Sequence, residues 1–229
     1  MKYVKYLAVL FFIIIAIGFF TGKDDTEKIV KLLYMHGDWP ITVAEFTEKY
    51  KAKAEQFDGA QINWLRIDKE KQKNMWKDTL FQRKLQLPQA QYPCDYISVI
   101  TNEQNNQLNR FVISYARESR EDLINIELNS YKAAIGAINP NMSKSEIDKF
   151  VNDLTEGKLK GELIGGLGSD SDAWKVYVKD KYEYCFAEEK NSNYKYRAVS
   201  YSIYYVDESN FTPQMEELYK EHIKYINDK

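Results

Sequence analysis

The sequence predicts an α+β fold, in which amphipathic helices cover an antiparallel sheet behind an N-terminal apolar helix. Three observations support this prediction: hydrophobic residues recur at helical spacing in several stretches, other stretches are rich in β-branched and aromatic residues, and short polar links join those stretches. The predicted order is one helix, about four strands, two helices, about three strands and a last helix. Runs of strands separated by runs of helices are typical of α+β domains.

Capping signals mark where the predicted helices begin. Thr42 and Ser143 each stand three residues before a glutamate, which is the capping-box pattern. Pro213 follows Thr212 at the first position of the last helix, where proline is tolerated. The predicted helices cover 27–35, 43–57, 124–138, 143–154 and 213–226.

Strands are predicted where β-forming residues cluster or alternate with polar ones. In the last strand Val199, Tyr201, Ile203 and Tyr205 share one face, so alanine at either tyrosine of this set is expected to destabilise the fold. The predicted strands cover 62–67, 75–81, 96–101, 108–116, 159–167, 174–187 and 194–206.

The helices and strands that follow residue 41 are predicted to form a single α+β domain over 42–229. Its two halves, 42–120 and 121–229, each contain a capping-box helix and a set of antiparallel strands. This order also fits a duplicated unit, although the two halves share too little sequence to establish a repeat.

An apolar leader over residues 1–22 predicts that the domain lies outside the cytoplasm. Lys2 and Lys5 precede the apolar run Tyr6–Phe20, and the sequence then turns polar. In one reading, residues 3–22 stay in the cytoplasmic membrane as a single-pass anchor with the N-terminus inside, and 23–41 form a juxtamembrane segment. In the other, the leader is cleaved and the protein is periplasmic or secreted.

The charge of the protein argues against binding to nucleic acid. The formal net charge is −2, and lysines and acids are interleaved along the sequence rather than gathered in a basic run. Affinity for nucleic acid comes largely from basic surface. This distribution is instead typical of a solvated surface.

The residues that commonly bind metals or catalyse reactions are few. Cys94 and Cys185 are compatible either with one disulfide in an oxidising compartment or with two separate thiols, and no CxxC motif is present. The two histidines, His36 and His222, are expected to have structural roles, and no HExxH or Cys/His cluster occurs. The sequence therefore indicates no metal centre and no cofactor.

A glycine-rich stretch over 165–172 is the most unusual local segment of the sequence. Asp170 and Asp172 alternate in it as ligands do in calcium loops, but the glutamate that would complete such a loop is missing. The other interpretation is a hairpin loop, with glycines for positive φ and aspartates for turn hydrogen bonds.

Tyrosines are concentrated near the C-terminal end of the domain, where eight lie between Tyr177 and Tyr205. Tyrosine is enriched in recognition surfaces, although it is also a good strand former. Some of these rings are expected to be exposed, and alanine at Tyr196 or Tyr204 is expected to leave the fold intact. The candidate partner-binding residues are Tyr184, Tyr194, Tyr196 and Tyr204.

The helix with Thr42, Phe46 and Tyr50, the Tyr131…Ala137-Ile138-Asn139-Pro140 pattern and the leader resemble small exported or anchored bacterial envelope proteins of unknown function. The resemblance implies an envelope location and no activity. The sequence as a whole favours a non-enzymatic, membrane-anchored domain that binds a protein or envelope partner. The alternatives are a small hydrolase of envelope polymers that uses carboxylates the sequence does not single out, and an accessory subunit of a membrane complex.

Overall fold

The structure is a computed structural model, and it describes residues 36–62, 69–71, 79–87, 89–159, 163–166, 173–190 and 196–210 together with Pro213, Glu216 and Glu217. Within these residues the protein is a mixed α+β fold with three α-helices and an antiparallel sheet, as the sequence predicts. None of the described helices has the length and apolar character needed to cross a membrane. The predicted leader, the helix predicted over 27–35 and nearly all of the one over 213–226 lie outside the described residues.

The described sheet is built from two runs of four consecutive antiparallel strands. Its order is β2-β3-β4-β5-β9-β8-β7-β6, so the two runs meet where β5 pairs with β9, and the two-residue strand β1 also pairs with β9. The described strands are β1 His36–Gly37, β2 Lys69–Lys71, β3 Leu80–Gln86, β4 Tyr96–Asn102, β5 Gln107–Ala116, β6 Leu163–Gly166, β7 Ala173–Lys179, β8 Tyr182–Lys190 and β9 Arg197–Val206. This topology is what a duplicated unit would have, but the pseudo-repeat stays a prediction.

The prediction of a single strand over 174–187 is wrong, because this segment forms a hairpin of two strands, β7 and β8. Lys179 pairs with Tyr182, and the two residues between them, Asp180 and Lys181, have positive φ angles of 51° and 66°. Positive φ at both central residues defines a type I′ turn, which usually contains Asn-Gly or Gly-Gly. Since neither position is glycine, the sequence gives no signal for this turn.

The strand predicted over 75–81 differs from the structure at its C-terminal end. Strand β3 continues beyond residue 81 through polar residues to Gln86, because β4 is buried and its backbone groups need hydrogen-bond partners along their whole length. Residues 75–78 of that prediction lie outside the described residues. The strand predicted over 62–67 falls almost entirely outside the described residues.

Two of the three described helices begin where the capping signals predict, and the third begins three residues before the predicted Ile124, after Arg120, which forms no side-chain cap. Helix α1 is Val43–Ala54, α2 is Glu121–Ile138 and α3 is Lys144–Glu156. Thr42 and Ser143 each accept a hydrogen bond from the backbone N–H three residues on, and the glutamate at that position binds back to the cap. Helix α3 ends at Gly157, whose φ of 71° is a left-handed conformation that favours glycine.

The helices lie on one face of the sheet, and the main core lies between them and the strands. Tyr201 is 2% exposed and packs against Tyr131 of α2 and Phe186 of β8, with ring centroids 5.1 Å apart in both pairs. Val199 and Ile203 are buried beside it, and Tyr205 packs against the same core from a partly buried position. The predicted inner face of β9 is therefore confirmed.

Candidate functional site

The face of the sheet that points away from the helices carries a cluster of charged and aromatic side chains from four strands. Tyr204 of β9 is the direct cross-strand neighbour of Arg110 on β5 and of Glu183 on β8. Cys185 lies two residues along β8, and His36 is paired with Val206 next to Tyr204. We call these five residues, His36, Arg110, Glu183, Cys185 and Tyr204, the Arg110 cluster.

His36 reaches this cluster because the segment after β1 is fastened to the β4–β5 hairpin. Asp38 accepts hydrogen bonds from the side-chain amides of Asn102, Asn105 and Asn109 at 2.7, 3.0 and 3.1 Å. The backbone N–H of Trp39 donates to the carbonyl of residue 108 at 2.6 Å, and the Trp39 side chain is fully buried. These contacts hold His36 and Gly37 as a strand against β9.

Tyr204 is the centre of the cluster. Its ring stacks on the His36 imidazole, with centroids 3.8 Å apart and an interplanar angle of 13°. The guanidinium carbon of Arg110 lies 4.7 Å from the same ring centroid, which is a cation–π distance. Burial, partly offset by the positive charge of Arg110, raises the pKa of the Tyr204 phenol to about 12, so this side chain is a neutral hydrogen-bonding group.

Glu183 is a buried carboxylate that joins two other members of the cluster. Its Oε1 lies 3.1 Å from Nε2 of His36 and accepts a hydrogen bond from the Cys185 thiol at 3.1 Å. The Glu183 side chain is 1% exposed. A buried carboxylate requires such neighbours, because an isolated charge is costly to remove from water.

Arg110 differs from the nearby Arg117 in having no carboxylate partner. Arg110 forms no ion pair with any carboxylate in the described part of the protein, and its Nε is buried without a hydrogen-bond acceptor there. Arg117 follows directly after β5 and shows the contrast, since its guanidinium binds Glu188 at 2.6 Å. Within the described part of the protein, the positive charge of Arg110 is thus left unmatched on a half-buried face.

The geometry of the cluster does not activate a nucleophile. Burial raises the pKa of the Cys185 thiol, and the adjacent Glu183 carboxylate raises it further. The thiol donates to Glu183 rather than to His36, so the histidine is not placed to deprotonate it. Among the described residues, no three His, Cys, Asp or Glu side chains are arranged to hold a metal ion.

Two of the predicted partner-binding tyrosines are corrected by the structure, because they are buried. Tyr184 is 1% exposed, faces the helices and accepts a hydrogen bond from the Asn139 amide at 2.9 Å. Tyr196 is 8% exposed and packs on Tyr92, with ring centroids 4.9 Å apart. Tyr204 is half-buried in the Arg110 cluster, and Tyr194 lies outside the described residues.

The disulfide interpretation of the two cysteines is also corrected. Cys94 and Cys185 are both free thiols. Cys185 contacts Glu183 in the cluster, whereas Cys94 precedes β4, where burial and the neighbouring Asp95 carboxylate raise its pKa to about 11. The predicted calcium-loop residues Asp170 and Asp172 fall outside the described residues, as does His222.

Two acids come together on the helix side of the sheet. Asp95 and Glu127 are both fully buried. Asp95 accepts hydrogen bonds from the Ala116 N–H and the Ser119 hydroxyl at 2.9 and 2.7 Å, and two further backbone N–H groups bind its other oxygen. Glu127 has no hydrogen-bond partner among the described residues, and burial together with the Asp95 charge raises its pKa to about 9. A glycosidase needs two carboxyl groups that flank its substrate. Because Asp95 and Glu127 are both fully buried, a substrate cannot reach this pair.

A shallow cleft lies between the α2–α3 link and the β7–β8 turn, with a volume of about 340 Å³. The amide of Asn139 at its floor is already bonded to the Tyr184 hydroxyl and to the carbonyl of residue 135. Lys179 and Asp180 at its rim are exposed. The cleft therefore has fewer unmatched polar groups than the Arg110 cluster, which we take as the candidate site.

A comparison of the sequence and fold with protein-family models, curated proteins and solved structures finds no match. The candidate site is consequently argued from its own geometry. Sequence reasoning identified Tyr204 and, as a disulfide candidate, Cys185, but missed Arg110 and Glu183. Alternation along β5 and β8 places both residues on the polar face of a strand, yet only the pairing of those strands with β9 brings them to Tyr204.

Proposed function

We propose that this protein is a membrane-anchored, extracytoplasmic binding domain, and that it contacts its partner around the Arg110 cluster, on the face of the sheet opposite the described helices. The leader over residues 1–22 supports the location, and the domain is held outside the cytoplasmic membrane whether the leader is retained or cleaved.

The observation that carries the binding role is the unmatched charge of Arg110 on a half-buried sheet face. Evolved surfaces rarely keep a partly desolvated arginine without an anionic neighbour, because each unsatisfied buried donor costs free energy. Arginine and tyrosine are also the side chains most enriched where proteins bind one another. Both are present here in direct contact.

Crosslinking in the native cells tests this proposal. A photoreactive phenylalanine analogue at Val112, which is half-buried on the same face as Arg110, is expected to give a discrete adduct. The same analogue at Asn125, exposed on the outer side of α2, serves as the matched control and is expected to give none. The adduct from position 112 is also expected to disappear in Tyr204→Ala.

The proposal fails if both positions crosslink equally or if the Val112 adduct persists in Tyr204→Ala. Release of reducing sugar or peptide from purified envelope polymer by the wild-type protein would instead support the hydrolase. An accessory subunit is a special case of the binding role, in which the crosslinked partner is an integral membrane protein.

A further inference from the structure

We propose that Arg110 is the binding residue for a carboxylate, and that the partner presents this single negative charge to the Arg110 cluster. The inference rests on the proposed binding function and adds the chemistry of the group that is recognised.

The guanidinium supplies the recognition. It carries five donors in a planar fork that matches the two oxygens of a carboxylate, and none of the described carboxylates uses them. The Arg110 side chain is half-buried rather than enclosed. Its Nε is itself buried, so an incoming oxyanion reaches that donor after the side chain rotates.

The aromatic rings favour a planar group. The Tyr204 ring lies under the guanidinium, and His36 stacks on the same ring, which holds Tyr204 in one orientation. A cation placed over an aromatic face keeps its charge available at its edge, where a carboxylate binds in the plane of the fork. The Ser202 residue lies beside these groups on β9, paired with Cys185 on β8.

The charge balance favours one negative charge over two. Glu183 is the neighbour of Tyr204 on the side opposite to Arg110, so its backbone lies two strand spacings, or about 10 Å, from the Arg110 backbone. A doubly charged phosphate would bring two negative charges to the single guanidinium of Arg110. The single negative charge of a carboxylate is neutralised by Arg110 alone, so we expect the site to prefer a carboxylate to a phosphate group.

The probe is benzoate, added to the full-length protein in micelles of a non-ionic detergent at neutral pH. The readout is the ¹⁵N–¹H signal of the Arg110 Nε–H, identified by its loss in Arg110→Gln. Benzoate is expected to shift this signal saturably. Benzamide, which has the same planar shape without the charge, is expected to leave it in place, as is chloride at equal ionic strength.

Two variants separate a site from a general charge effect. In Arg110→Gln the Tyr204 ring signals are expected to lose their response to benzoate, with affinity reduced about tenfold or more. In Arg117→Gln, which removes an exposed arginine already paired with Glu188, they are expected to respond as in the wild type. Arg110→Lys keeps the positive charge and also removes the Nε–H, so it identifies the wild-type signal if Arg110→Gln folds poorly.

Several results would overturn the inference: no shift with benzoate, an equal shift with benzamide, or a shift with inorganic phosphate at lower concentration. Two further probes distinguish the source of the carboxylate, since N-acetylalanine mimics the C-terminus of a polypeptide and N-acetylaspartate N-methylamide mimics an acidic side group. If the crosslink from Val112 forms but benzoate does not bind, the binding function holds and the carboxylate chemistry is wrong. If benzoate binds but no crosslink forms, the site holds and the partner surface is wrong.

Discussion

Arg110 and Tyr204 come from opposite halves of the sequence and face each other directly across β5 and β9, with the guanidinium carbon 4.7 Å from the ring centroid. This pair sits at the junction between the two four-stranded runs of the sheet. The junction therefore determines both the continuity of the sheet and the composition of its candidate binding site.

The two faces of β9 predict different costs for removing a tyrosine. Tyr201→Ala empties a position in the main core and is expected to lower the free energy of unfolding by about 3–5 kcal/mol. Tyr204→Ala removes a half-buried ring on the face opposite the described helices and is expected to cost about 1 kcal/mol. Urea unfolding followed by circular dichroism measures both, and equal losses would contradict the observed register of β9.

Glu127 predicts a pH dependence of stability. Its pKa is near 4.5 in the unfolded protein and about 9 in the folded one, so the folded state keeps a proton that the unfolded state releases. Stability is therefore greatest below the unfolded pKa and falls as the pH rises from about 4.5 to about 9, by about 3 kcal/mol at pH 7.

Glu127→Gln removes this titration, because the amide is neutral at every pH. The variant is expected to unfold at higher urea concentration than the wild type at pH 7 and to lose the downward slope between pH 5 and about 8. Glu121→Gln, at an exposed site of the same helix, is the control and is expected to keep the wild-type slope. A parallel slope in Glu127→Gln would show that the buried carboxyl is ionised.

The β7–β8 turn predicts a stabilising substitution. Lys181 has a φ of 66°. This left-handed conformation is sterically unfavourable for lysine but not for glycine. Lys181→Gly is therefore expected to raise the free energy of unfolding by about 0.5–1 kcal/mol. Lys49→Gly, at an exposed position in the interior of α1, is expected to lower it by a similar amount. Thermal unfolding distinguishes the two signs, and destabilisation by Lys181→Gly would contradict the turn geometry.

Gly37 predicts a link between β1 and the Arg110 cluster. A Cβ at this position would lie 2.4 Å from the Cβ of Asp207, so Gly37→Ala must displace β1 from β9. The substitution is expected to cost about 1–3 kcal/mol and to disturb the stacking of His36 on Tyr204. The His36 ring signals report this by NMR. Unchanged ring shifts in a destabilised variant would mean that the stacking does not depend on β1.

Local signals in the sequence predict the three described helices and much of the described sheet, because the causes of these elements are close together in sequence. The capping box at Ser143 needs only Glu146, and the inner face of β9 needs only alternation from Val199 to Ile203. The turn at Asp180-Lys181 could not be predicted locally, because neither residue favours a positive φ angle. The pairing of β7 with β8 holds both residues in this unfavourable conformation.

The sequence by itself determined the α+β class, the positions of the helices and which residues of β9 face the core, since periodicity and capping act over a few residues. Only the tertiary structure decided that β5 pairs with β9, that Tyr184 is buried against Asn139, and that Arg110 is left without a described carboxylate beside Tyr204. Those outcomes depend on which strands become neighbours. Strand pairing between distant segments depends on the packing of the whole core, so it cannot be predicted from any short stretch of sequence.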